Sequence, residues 1–131
     1  MLSRRYVMQA GFTLAAGLAS FDAFAAAPVE YSDAAFDSAQ KEGKSILIDV
    51  SAPWCPTCKA QAPILMDLEN DSKFMNFTIF HVDFDSQKPV LKRFGVRTQS
   101  TLIAFKGPEE KGRSVGDTDA KSIAALFSKA A

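Results

Sequence analysis

Apolar and polar residues along 28–131 alternate in blocks that predict a series of short strands and helices. The run at 45–50 is rich in isoleucine, leucine and valine without polar alternation, which is typical of a strand buried on both faces. Other blocks repeat apolar residues at helical spacing and end at glycine. The predicted strands are 29–31, 45–50, 77–82, 101–105 and 111–115, and the predicted helices are 33–42, 56–70, 89–94 and a last one capped by Thr118 or Asp119.

The order of these elements predicts the fold class. Strands and helices alternate through the first three pairs, and then two strands joined by a turn at Gly107-Pro108 precede the final helix. This order predicts an α/β fold, a central mixed β-sheet with helices on both faces. The charges within 111–115 suit an edge strand, because they discourage pairing with another chain.

The first 27 residues are typical of an export signal. Arg4-Arg5 precedes an apolar stretch at 10–21, and small residues lead to expected cleavage after Ala25 or Ala27. The stretch has roughly 12 residues, against the ~20 that span a bilayer, so we expect a cleaved signal rather than an anchor; an uncleaved tether is the alternative. The arginine pair is similar to a twin-arginine signal, although an ordinary secretory signal could carry it by chance. Either route predicts a periplasmic domain at 28–131.

Composition limits the remaining functions. The chain has 131 residues, a length for one domain, and its 15 basic and 15 acidic residues cancel. A nucleic-acid-binding domain would carry an excess of basic residues, so we expect no nucleic-acid partner.

The only two cysteines, Cys55 and Cys58, lie between the apolar strand at 45–50 and the predicted helix at 56–70. A helix N-terminus favours negative charge, so we expect Cys55 to ionise and attack disulfides, and Cys58 to resolve the product. An inert structural disulfide is one alternative. A metal site is another, but its only further ligands would be His81 and a carboxylate at spacings that fit no zinc pattern, so we expect no metal.

The residues around these cysteines resemble the thioredoxin family. The motif Trp54-Cys55-Pro56-Thr57-Cys58-Lys59 is matched by Asp49 before it and, after it, by Pro63, Gly95-Val96-Arg97, Thr101-Leu102 and Val115-Gly116. The resemblance implies a thioredoxin fold, thiol–disulfide exchange with proteins that carry cysteines or disulfides, and no cofactor besides the redox-active Cys55–Cys58 disulfide.

Several neighbours of the cysteines are candidate site residues. Asp49 is a polar residue in an apolar strand, so burial should raise its pKa and let it accept the Cys58 proton; capping the next turn is the alternative. Trp54 and Pro56 are expected to form an apolar rim for partner proteins, although Trp54 could simply cover the core. The other candidates in the active-site environment are Thr57, Lys59, His81, Gln99 and Ser100, and Gln99 could offer its backbone to an extended substrate.

Three positions depart from the thioredoxin pattern. Ser100 stands where the family has a cis-proline facing the cysteines, and a cis bond before a non-proline residue costs ~2.5–4 kcal/mol, so we expect a trans Gln99–Ser100 bond. Ser51 replaces a tryptophan. His81 stands where the family often has a lysine near the buried carboxylate, which suggests a proton relay with Asp49; a histidine with no catalytic role is the alternative.

These observations favour an exported, monomeric thiol–disulfide oxidoreductase, with a lean towards reductase because Asp49 and Lys59 resemble the reducing branch of the family. A reductant outside the cytoplasm must be recharged, which implies a membrane-embedded thiol electron donor. The alternative is a module that uses the dithiol to hold copper or a similar soft metal. A partner-docking domain without activity is less well supported, since both cysteines are intact.

Overall fold

A computed structural model describes residues 28–131. The predicted export signal lies outside these residues. The strands are β1 (Pro28–Glu30), β2 (Ser45–Ser51), β3 (Thr78–Asp83), β4 (Thr101–Lys106) and β5 (Glu109–Val115), and the helices are α1 (Asp33–Lys41), α2 (Pro56–Glu69), α3 (Lys88–Phe94) and α4 (Ala120–Lys129). No helix in this part of the chain is long and apolar enough to span a bilayer.

The strands form one five-stranded mixed sheet in the order β1-β3-β2-β4-β5. β3 runs parallel to both β1 and β2, whereas β4 runs antiparallel to β2 and β5 runs antiparallel to β4. The predicted α/β architecture with a central mixed sheet is therefore confirmed. β2 is the central strand of the sheet. Cys55 follows the C-terminal end of β2 and therefore lies near the middle of that edge of the sheet.

Helices cover both faces of the sheet, as the sequence predicts. On one face α2 and α4 bury Leu65, Ile123 and Phe127 against Leu47 of β2. On the other face Phe36 of α1 and Leu91 of α3 pack against alternate residues of β2, which are Ile46, Ile48 and Val50. The side chains of β2 are thus buried on both faces, which explains why its sequence is mostly apolar without polar alternation.

Element boundaries differ from the predictions by one or two residues at most ends. β1 begins one residue early, at Pro28, and β5 begins at Glu109 rather than 111. The chain also forms a 3-10 helix, Ser72–Phe74, that the sequence pattern did not predict. Of the two candidate caps for α4, Asp119 is the one whose carboxylate accepts a hydrogen bond, from the N–H of Ser122.

Candidate functional site

Cys55 and Cys58 lie at the start of α2, beyond the end of the central strand. Cys55 is the N-cap of α2, with an extended backbone, and its Sγ accepts a hydrogen bond from the N–H of Cys58 over 3.1 Å. Both cysteines are free thiols and both are buried, Cys55 with 0% of its surface exposed. A sulfur in the N-cap position faces the unpaired N–H groups of the first helical turn, and this arrangement stabilises a thiolate.

The two thiols differ in acidity. Burial is the largest influence on the pKa of Cys55 and raises it, but hydrogen bonds from Cys58, from Ser100 and from backbone N–H groups outweigh burial, so the pKa of Cys55 is lowered. Burial, followed by the hydrogen bond that Cys58 donates to Cys55, raises the pKa of Cys58. Cys55 therefore loses its proton first and becomes the thiolate, while Cys58 keeps its proton and donates it in a hydrogen bond to Cys55.

Ser100 lies directly against both sulfur atoms. Its Oγ is 3.2 Å from Cys55 Sγ and 3.2 Å from Cys58 Sγ. The Gln99–Ser100 bond is trans, as expected, because residues 28–131 contain no cis peptide. The backbone of Ser100 adopts φ +64°, a left-handed conformation that costs a residue other than glycine about 1–2 kcal/mol. The loop that carries Ser100 therefore holds it in a strained conformation that brings its hydroxyl to the thiols.

Gln61 is a residue of this site that the sequence pattern did not single out. It follows Cys58 by about one turn of α2 and is 1% exposed, whereas its neighbour Ala62 is exposed. Gln61 Nε2 donates to the carbonyl of Ser100 over 3.3 Å and to that of Asp117 over 2.8 Å. A glutamine at a helix position facing the core is the signal that could have revealed it.

Asp49 lies beneath α2, on the same face of β2 as Leu47. It lines a cavity of about 310 Å³ together with Cys58, Lys59 and His81. Burial raises the pKa of Asp49 to about 6, although attraction to His81 offsets part of that rise. The expected effect of burial on Asp49 is therefore seen. Because the cavity reaches both Asp49 and Cys58 and exceeds the ~30 Å³ that one water occupies, water can connect the two side chains.

His81 lies beside Asp49 because the two residues are paired in register across β2 and β3. Its Nε2 is 2.7 Å from Ser51 Oγ, and its Nδ1 is 3.2 Å from Glu30 Oε1 at the end of β1. His81 thus connects the cavity that contains Asp49 with a carboxylate at the protein surface. Within 28–131 both ring nitrogens contact other residues, so His81 and Asp49 share the cavity without a direct hydrogen bond between them.

The residues of the motif around the cysteines mostly face outwards. Trp54 is 55% exposed, its Nε1 donates to Asp85 Oδ2 over 2.8 Å, and its ring meets Phe84 edge-on at 6.4 Å. Pro56 and Lys59 are also exposed, and Thr57 is half-buried. Trp54 is thus a largely exposed apolar side chain close to the buried Cys55.

Gln99 directly precedes Ser100 in the chain. Neither its backbone N–H nor its carbonyl has a hydrogen-bond partner within 28–131, whereas the N–H of Ser100 donates to the carbonyl of Val50 over 2.8 Å. The backbone of Gln99 can therefore pair with an extended peptide, as expected from the sequence.

The described part of the chain contains no group of three or more histidine, cysteine, aspartate or glutamate side chains placed to hold a metal ion. Cys55 and Cys58 are close together, but His81 and Asp49 do not join them in one coordination sphere.

Comparison with known proteins identifies the family. A family model described as thioredoxin matches residues 27–129. The chain belongs to the thioredoxin family. It is 42% identical over 81 residues to Thioredoxin H4 of Arabidopsis thaliana (61% of this chain and 66% of that protein) and 38% identical over 84 residues to thioredoxin of Chlamydia muridarum (64% and 80%). The crystal structure of Trxlp from Edwardsiella tarda has a TM-score of 0.75 at 40% identity, covering 77% of this chain and 98% of that one.

The match spans slightly less than two thirds of Thioredoxin H4 itself. Membership in the thioredoxin family confirms the expected fold, and the geometry brings most of the expected thioredoxin site together. Cys55, Cys58 and Ser100 are in contact, and Asp49 and His81 line the adjoining cavity. Trp54 is exposed and Gln99 is half-buried.

Proposed function

We propose that this thioredoxin-family chain is an exported reductase of protein disulfides that acts through the Cys55–Cys58 dithiol and a mixed disulfide. The observation that carries the proposal is the N-cap position of Cys55, whose lowered pKa makes it the thiolate of the pair. The preference for reduction over oxidation rests on likeness to the reducing branch of the family.

In the first step the Cys55 thiolate attacks one sulfur of a substrate disulfide. A bond forms between Cys55 Sγ and that sulfur, the substrate S–S bond breaks, and the second substrate sulfur leaves as a thiolate that takes up a proton. Cys55 is fully covered, and Phe84 packs against the cluster that contains it, so the rim must open to admit the substrate. Trp54 and Gln99 would then provide apolar contact and backbone pairing.

In the second step Cys58 loses its proton and attacks Cys55 Sγ. The mixed disulfide breaks, the Cys55–Cys58 disulfide forms, and the remaining substrate sulfur leaves as a thiolate. Because the pKa of Cys58 is raised, this step needs a proton acceptor. Asp49 fits this role, since its pKa is about 6 and it shares the cavity with Cys58, and His81 offers the proton a route towards Glu30.

Reduction of insulin by dithiothreitol tests the proposed activity. We expect catalytic amounts of residues 28–131 to accelerate insulin precipitation. A variant with Cys55→Ala and Cys58→Ala, which removes both thiols, should leave the rate at that of dithiothreitol alone. Equal rates with the wild-type and double-alanine proteins would refute the proposed reductase.

The proposed site of action is the periplasm, and the proposal rests on the sequence of the first 27 residues. Arg4-Arg5, the apolar stretch at 10–21 and the small residues before Ala25 and Ala27 support it. We further propose that the mature domain is a monomer. We also propose that it receives electrons from a membrane-embedded thiol donor, because an oxidised domain outside the cytoplasm has to be reduced again before each cycle.

Export can be measured by expressing the full chain in a bacterium and fractionating the cells. We expect a periplasmic protein whose first residue is Ala26 or Pro28. Changing Arg4-Arg5 to Lys-Lys should retain the precursor in the cytoplasm if the twin-arginine route is used, while normal maturation of that variant would indicate the general secretory route. An unprocessed wild-type chain in the cytoplasm or membrane would contradict the export of a cleaved domain.

A further inference from the structure

The hydroxyl of Ser100 is placed at equal distance from the two sulfur atoms that react. Its Oγ lies 3.2 Å from Cys55 Sγ and 3.2 Å from Cys58 Sγ, and Ser100 is 2% exposed, so bulk water does not compete for these contacts. A hydroxyl has one proton to donate and two lone pairs that accept. It can therefore donate to one sulfur while it accepts from the other.

Rotation about the Cβ–Oγ bond of Ser100 redirects its hydroxyl hydrogen from one sulfur to the other without moving a heavy atom. When Cys55 is the thiolate, the Ser100 hydroxyl donates to Cys55 and accepts from the thiol of Cys58. When Cys55 is bonded to a substrate sulfur, it carries no charge, and the hydroxyl can donate to the emerging Cys58 thiolate. Hydrogen bonds to a charged acceptor are about twice as strong as neutral ones, so the hydroxyl should follow the charge.

Hydrogen bonds to three residues outside its own loop hold the backbone of Ser100. Its N–H donates to the carbonyl of Val50 over 2.8 Å, and its carbonyl accepts from the N–H of Gly116 over 3.0 Å and from Gln61 Nε2 over 3.3 Å. These bonds maintain a left-handed backbone that serine rarely adopts. Gln61 itself is buried, and its Oε1 has no partner within 28–131. Its Nε2 also donates to the carbonyl of Asp117 over 2.8 Å, and the two hydrogen bonds together hold the amide beside Ser100.

We propose that the Ser100 hydroxyl is a shared hydrogen-bond donor, stabilising first the Cys55 thiolate that attacks the substrate and then the Cys58 thiolate that resolves the mixed disulfide, and that Gln61 positions it. The proposal rests on the dithiol exchange proposed above and adds a residue to both of its steps. Ser100 contacts the reacting atoms, whereas Gln61 acts only through the carbonyl of Ser100.

The test replaces Ser100 by glycine, which removes the hydroxyl and relieves the backbone strain, and by alanine, which removes the hydroxyl alone. We expect alkylation of Cys55 by iodoacetamide at a slightly acidic pH to slow about tenfold in both variants, because less thiolate is present. Thr101→Val is the matched control: it removes the bond from Thr101 Oγ1 to the Thr98 carbonyl in the same loop but contacts neither sulfur, so the rate should not change.

The second step is followed with an aromatic disulfide that releases one coloured thiolate when Cys55 attacks and another when Cys58 resolves the adduct. We expect Ser100→Gly to slow the second release several-fold. An unchanged Cys55 alkylation rate in both Ser100 variants would overturn the proposal. A slower first release with an unchanged second release would overturn the sharing of the donor.

Gln61 is tested by coupling its effect to that of Ser100. We expect Gln61→Leu, which keeps a similar volume, to slow Cys55 alkylation roughly threefold in the wild-type protein and to have no further effect in Ser100→Gly. A purely structural role would slow both backgrounds equally and would contradict the assignment of Gln61. Because alkylation needs no protein substrate, these results stand apart from the insulin assay, whose failure would refute the proposed reductase instead.

Discussion

Replacing Cys58 by serine is expected to stop turnover after half a reaction. Serine is close to cysteine in size, but its hydroxyl does not ionise near neutral pH and cannot attack the mixed disulfide. Reduced Cys58→Ser mixed with an excess of a small disulfide should release one equivalent of substrate thiol and retain the other on Cys55, where mass spectrometry detects it. Reduced wild-type protein should release two equivalents and retain none.

The matched control is Cys55→Ser, which keeps Cys58 but removes the thiolate at the helix N-cap. We expect it to form no adduct on the same timescale, because the pKa of Cys58 is raised and little of it is thiolate. Insulin reduction in either variant should fall on the order of 100-fold or more, since each lacks one of the two steps. Two equivalents of thiol from Cys58→Ser, or a rapid adduct with Cys55→Ser, would show that the assigned order of attack is wrong.

Replacing Asp49 by asparagine is expected to stabilise the protein at neutral pH. The pKa of Asp49 is about 6 in the folded protein, chiefly because of burial, against an ordinary value of 3.8. The folded state therefore binds more protons than the unfolded state between these values, and stability falls as the pH rises from about 4 to 7. At ~1.4 kcal/mol for each pKa unit, the ionised carboxylate costs about 3 kcal/mol at pH 7, an upper value because the cavity admits water.

Urea unfolding of the wild type and Asp49→Asn at pH 7 and pH 4 measures this effect. We expect the variant to gain stability at pH 7 and to lose the advantage near pH 4. Asp83→Asn is the control, because Asp83 lines the same cavity but is expected to have the opposite effect on stability. The backbone N–H of Asp85 lowers the pKa of Asp83, so replacing the Asp83 carboxylate should reduce stability at neutral pH. If the stability advantage of Asp49→Asn over the wild type is no larger at pH 7 than at pH 4, the ionised Asp49 carboxylate does not destabilise the folded protein.

The same substitution should separate stability from catalysis. Asp49→Asn cannot accept the Cys58 proton, so we expect a more stable protein that resolves mixed disulfides more slowly. Such a trade between stability and activity is common where a site requires a buried charge.

Most of the fold could be predicted from local sequence patterns. The run at 45–50 predicts a central strand because a strand covered on both faces is mostly apolar and shows no alternation of polar and apolar residues. Cys55 could be placed at a helix start because Pro56, a residue favoured in the first turn, follows it directly. The ends of β1 and β5 were less well predicted, since fraying and edge pairing depend on neighbours that a local pattern does not contain.

The sequence by itself determined the strand and helix order, the position of the two cysteines at a helix N-terminus, and a polar Asp49 in an otherwise buried strand. These features follow from periodicity and from neighbours along the chain. Only the tertiary structure decided that Ser100 touches both sulfurs, that Gln61 holds its carbonyl, and that Asp49 and Cys58 share a cavity. Each of these contacts joins residues from different elements, and the sheet order and the left-handed turn at Ser100 fix them. The physical reason is that thiol chemistry depends on distances of about 3 Å between groups far apart in the chain.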